Sequence, residues 1–95
     1  MVYIRRLIWE NGPDGNIEHI ARHCVTPEEV EEVCYGQFID REAYGSRFLI
    51  IGPTYSGRML AIVLGPIRKK KGIYYPVTAR PATKNEIQLY DDESR

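Results

Sequence analysis

Apolar positions follow a strand-like pattern at the start of the chain, then the helical period over two short stretches, then a strand-like pattern again for most of the remainder. Val2 to Trp9 is rich in β-branched and aromatic residues and predicts a first strand, closed by the turn-forming run Asn11, Gly12, Pro13, Asp14, Gly15. A helix should follow from Asn16 as N-cap. Ile17, Ile20, Ala21 and Cys24 fall on its apolar side, and Glu18, His19, Arg22 and His23 on its polar side. Thr26, Pro27 and Glu29 predict a second helix start with a capping box, stapled by Val25 and Val30. Val30, Val33 and Cys34 of this helix face inward, Glu28, Glu31 and Glu32 face water, and Gly36 ends it.

From Phe38 onward four strands are expected, over Phe38 to Ala43, Phe48 to Thr54, Met59 to Pro66 and Ile73 to Arg80. The turns between them, at Tyr44 to Ser46, Tyr55 to Gly57 and Ile67 to Gly72, suit antiparallel hairpins. Pro76 cannot donate to a ladder, so the last strand should lie at an edge or carry a bulge. Thr83 caps a closing helix, with Glu86 in the capping-box place and Ile87 and Tyr90 turned to the sheet. The expected fold is one α+β domain over residues 1–95: a mostly antiparallel β-sheet with two N-terminal helices packed on it and a C-terminal helix.

Ninety-five residues support a single core, and no apolar run approaches the length of a membrane span, so a cytoplasmic, membrane-free protein is expected. Cys24 and Cys34 lack CxxC spacing and are expected as reduced thiols. The net charge of zero hides an asymmetry. Residues 1–40 carry three arginines against eight acids, whereas residues 41–90 carry nine Lys or Arg against two acids. A locally basic face can bind phosphates when the total is neutral.

Metal-independent RNA cleavage needs a base near the 2′-hydroxyl, cationic donors at the phosphate and an acid for the leaving oxygen. Arg58 and Arg80 can offer guanidinium forks, Arg47 lies on a neighbouring strand, and His23 titrates near neutrality, with Glu86 or Tyr90 as the other proton carrier. Arg68, Lys69, Lys70 and Lys71 form a basic turn able to grip an RNA backbone. Each group also has a structural reading. Arg80 can pair with Glu86, Glu86 is accounted for by its capping box, Tyr90 suits the core, and the basic run suits a solvated hairpin tip. One phosphate can be shared only if Arg47, Arg58 and Arg80 lie within about 15 Å of one another. His19, His23 and Cys24 lack a second ligand cluster, so neither a metal nor a cofactor is expected.

The order Trp9-Glu10, Arg22-His23-Cys24-Val25, Arg47-Phe48-Leu49, Gly57-Arg58, and Ala79-Arg80-Pro81-Ala82-Thr83 with Glu86 and Tyr90 resembles the BrnT toxins of bacterial toxin–antitoxin pairs. The resemblance covers Trp9 to Tyr90 and implies a RelE-like fold, endoribonuclease activity through a 2′,3′-cyclic phosphate, and a small antitoxin that masks the basic face. The chain departs from the family where Lys-His-Gly becomes Arg22-His23-Cys24, at His19 and Gly15, and where alternating strand arginines become Ile73, Tyr74 and Tyr75. The alternative is a non-catalytic relative that binds RNA or a protein partner. Open strand edges also leave room for a homo-oligomer.

Overall fold

The computed structural model describes residues 2–94. The fold is α+β, with three helices and a five-stranded mixed sheet. The elements are β1 (Arg6–Leu7), α1 (Asn16–Ala21), α2 (Pro27–Cys34), β2 (Ile39–Ala43), β3 (Arg47–Pro53), β4 (Met59–Ile67), β5 (Lys70–Pro81) and α3 (Lys84–Glu93). The spatial order is β1-β5-β4-β3-β2, with β1 parallel to β5 and every other pairing antiparallel.

Several expectations need correction. The first strand shrinks to two residues, because the chain from Val2 to Arg5 makes few ladder bonds, among them Arg5 N–H to the Gly72 carbonyl. The N-cap of α1 is Gly15, where a Cβ would lie 2.3 Å from the Glu10 carbonyl oxygen, so only glycine fits this close approach. Asn16 is instead buried. Its side chain accepts from the Glu10 N–H and donates to the carbonyls of Ile8 and Pro76, which ties the turn, β1 and β5 together. The first helix ends at Ala21, and Cys24, expected on the apolar side, is exposed with φ of +61°.

The capping boxes at Thr26/Glu29 and Thr83/Glu86 form as expected. The acidic side of α2 is less solvated than its pattern implies: Glu31 accepts from Trp9 Nε1 and Glu32 from the Tyr55 N–H. The last hairpin is tighter than expected, since Ile67 pairs with Lys70 and only Arg68 and Lys69 remain as the turn. The register shifts between Val63 and Leu64, opposite Pro76 to Thr78, which is the bulge that Pro76 calls for. The end strands are β1 and β2, but β1 covers only Ile73 and Tyr74 of β5, so from Pro76 onward β5 has no strand on that side among the described residues.

Strand alternation divides the sheet into two faces. Ile50, Leu60, Ile62, Leu64 and Ala79 turn to one side and join Ile20, Val25, Val30, Val33 and Cys34 in the main core, roofed by α1 and α2. Ile51 and Ala61, of opposite parity, are equally buried but on the other side, where α3 lies. Arg41, which pairs with Leu49, reaches Glu93 of α3 from the same side.

Candidate functional site

The junction from β5 into α3 has the geometry its sequence suggests. Arg80 Nη1 and Nη2 donate to Glu86 Oε1 and Oε2 at 2.7 and 2.9 Å, a two-pronged bond. Glu86 Oε1 also accepts from the Thr83 N–H at 2.8 Å, closing the capping box. The bond to Arg80 holds the Glu86 carboxyl below its usual range, against the opposing effect of burial. The same bond raises the Arg80 guanidinium.

Arg58 repeats this pattern at a second helix. Its Nη1 donates to Glu29 Oε1 and Oε2 at 3.3 and 3.2 Å and to the Cys24 carbonyl at 2.8 Å. Glu29 is itself the capping-box residue of α2, accepting from the Thr26 N–H. Arg58 and Arg80 are thus each clamped to the capping carboxylate of a different helix. The two clamps lie on opposite faces of the sheet, Arg58 with α1 and α2 and Arg80 with α3.

Register and strand spacing give the separations. The Cα atoms of Arg58 and Arg80 stand about 11 Å apart, on adjoining strand ends joined by the Ala82 N–H to Met59 carbonyl bond. Arg47, at the far end of β3, is about 16 Å from Arg80 and about 24 Å from Arg58. It therefore does not share their phosphate, and the three-arginine arrangement expected from the sequence is not formed. Arg68, Lys69, Lys70 and Lys71 sit at the opposite end of β5, about 30 Å from Arg80, so they do not belong to this site either.

His23 follows α1 in an exposed position, its ring edge-on to that of His19 with centroids 5.7 Å apart. His19 Nε2 meets Thr78 Oγ1 at 3.2 Å, beside the bulge. Tyr90 lies one turn beyond Glu86 on α3 and lines a surface hollow with Phe38, Ile39 and Glu93, away from Arg58. Among the described residues no group of three or more His, Cys, Asp or Glu side chains is placed to hold a metal ion. Among the described residues no helix is long and apolar enough to cross a membrane. Cys34 is buried, and burial with the nearby Glu31 charge pushes its thiol up to about 12.

Two features escaped the sequence reading. Glu29 is the partner of Arg58, and its capping-box spacing was the visible signal for half of that role. The other is an apolar strip on the α3 face, Leu49, Val63, Val77 and Tyr75, all half-buried. Its period-two pattern was hidden by the bulge at Val77. No family model matches the chain, and neither a curated protein nor a solved structure matches it.

Proposed function

We propose that the chain is a BrnT-like protein that acts in the cytoplasm by binding a protein partner, and does not cut RNA. One observation carries this reading: Arg58 and Arg80 are each held by a capping-box glutamate, on opposite sheet faces. Turning both toward one phosphate would break several charge-assisted bonds and leave two half-buried carboxylates without their cations. A guanidinium so neutralised offers little field to a developing phosphorane charge. The departures at Arg22, Cys24 and Ile73 to Tyr75 agree with a relative that keeps the architecture without the chemistry.

A second reading keeps the endoribonuclease toxin, metal-independent and masked by a small antitoxin. It is favoured by the closeness of Arg58 and Arg80 on adjoining strand ends, with the turn that carries His23 bonded to Arg58 through the Cys24 carbonyl. In that reading the two arginines stabilise charge, His23 moves protons, and Glu86 and Tyr90 are auxiliary.

Incubation of purified protein with a defined RNA in chelator-containing buffer, followed by analysis of 3′ ends, separates the two. The expected result is intact RNA with wild type and with Arg80→Ala alike. Cyclic-phosphate ends that appear with wild type and vanish in Arg80→Ala would overturn the binding reading in favour of the nuclease.

A further inference from the structure

The two faces of the sheet are roofed unequally. Two helices close one face, while α3 alone crosses the other. Its Glu86 pairs with Arg80 of β5 and its Glu93 with Arg41 of β2, so it runs obliquely over the end of the sheet that holds Ile51 and Ala61. Beyond it the face continues through Leu49 on β3, Val63 and Gly65 on β4, and Val77 and Tyr75 on β5. Gly65 is itself buried, and Val77 packs close over it: a Cβ there would meet Val77 Cγ2 at 3.3 Å and the Tyr75 carbonyl at 3.7 Å. Arg47 borders the strip and is exposed, and among the described residues it forms no salt bridge. The cationic tip Arg68 to Lys71 closes the same end of the sheet without a carboxylate partner among the described residues.

Resting on the reading that this chain binds a protein, we infer that the open half of the α3 face is the docking surface, and that it takes an acidic amphipathic helix from the partner. The chemistry of that helix follows from α3. The resident helix is acidic, carrying Glu86, Asp91, Asp92 and Glu93, turns Ile87 and Tyr90 to partly buried positions, and pins itself by carboxylates on sheet arginines. A second helix laid beside it would meet the same pattern: aliphatic residues at the centre and the unpaired cations of Arg47 and the hairpin tip at the rim. A second copy of this chain would set Arg47 and the hairpin tip against their own likenesses, a like-charge contact. Single-stranded RNA would find one aromatic ring, Tyr75, whose hydroxyl is already given to Glu10, and otherwise aliphatic side chains on which bases stack poorly.

The test is an NMR titration of the labelled full chain with a synthetic helical peptide of about 18 residues, long enough to span the sheet. It carries leucines at i, i+3, i+4 and i+7 and glutamates on its flanks; a copy with lysine flanks is the control. The expected result is saturable binding of the acidic peptide, with shifts at Leu49, Val63, Gly65 and Val77. The lysine copy should not bind, and Arg47→Glu, an exposed change that leaves the core alone, should weaken binding about tenfold through the rim charge. Equal binding of both peptides, no saturable binding, or no loss in Arg47→Glu overturns the inference. So does the appearance of the same shifts on raising the protein concentration alone, or on adding a single-stranded oligoribonucleotide. Peptide shifts confined to the β2 edge leave the protein-binding reading standing and overturn this face; RNA cleavage sinks the protein-binding reading itself, whatever the peptide does.

Discussion

Adjacent residues of one strand, Ile62 and Val63, belong to different environments. Ile62 enters a core that excludes water completely, beneath α1 and α2. Val63, one residue on, lies on the face that α3 half covers and keeps part of its surface in solvent. The closed face is held by burial of apolar side chains, with Asn16 satisfying the backbone groups at its margin. The α3 face buries Ile51 and Ala61 at one end only, with ion pairs at the rim, Arg80 with Glu86 and Arg41 with Glu93. A sheet that buries one face along its whole length and the other at one end only can hold its fold and leave part of the second face free for contact.

Truncation measures this difference most directly. Ile62→Ala should destabilise the protein by about 3 kcal/mol, the transfer of three methylene-sized groups plus a cavity that the packed core cannot collapse. Val63→Ala should lose about 1 kcal/mol or less, because part of its surface was never removed from water. Urea unfolding of the two variants checks the pair. Equal losses would mean that the α3 face is as tightly closed as the other, and would remove the surface on which partner docking depends.

Asn16→Ala is the next largest effect. The Asn16 amide serves three backbone partners, the Glu10 N–H and the carbonyls of Ile8 and Pro76. With the side chain gone, these groups are left at a margin where water has poor access, at a loss of about 2 kcal/mol. Hydrogen exchange should locate it: faster exchange at Glu10 and along β1, with α3 unchanged. A loss spread evenly over both faces would show that the margin and the open face are one cooperative unit.

The parts of the fold that could be read from residues alone are those set by local geometry. Thr26 with Glu29 and Thr83 with Glu86 are capping boxes because three residues of helix place those atoms together whatever the rest of the chain does. The apolar runs at Leu49 to Ile51 and Leu60 to Leu64 are of the same local kind, since a strand covered on both faces carries apolar residues at successive positions, and both strands lie inside the sheet. Asn16 has the local pattern of a cap, whereas its bonding partner Pro76 is sixty residues away and no local pattern announces it. Arg58 and Arg80 turn to different faces of the sheet for a related reason. Which face of the sheet Arg58 or Arg80 serves depends on the register of the hairpins, and one residue of slip or one bulge reverses it. Residue types suited to phosphate chemistry were visible, but their convergence was not.

The smallest effect bears most directly on function. If Arg80 is committed to Glu86, its charge is unavailable to RNA, and the commitment has a signature in acid. Glu86 has its folded-state carboxyl lowered, chiefly by the Arg80 bond. The stability it contributes is therefore fully present above the ordinary carboxylate range of about 4.3 and is lost as pH falls through the lowered folded value. Arg80 keeps 39% of its side-chain surface exposed, so solvent screening limits the contribution to under about 1 kcal/mol. Wild type and Arg80→Ala should differ by that small margin at pH 7 and converge as the pH is lowered below 4, measured by urea midpoints across the series. If the two proteins keep parallel pH profiles, the Arg80–Glu86 clamp is not maintained in solution. The guanidinium would then be free at the end of the sheet beside Arg58, and the distinction between a structural rim and a nuclease site would have to be redrawn in favour of catalysis.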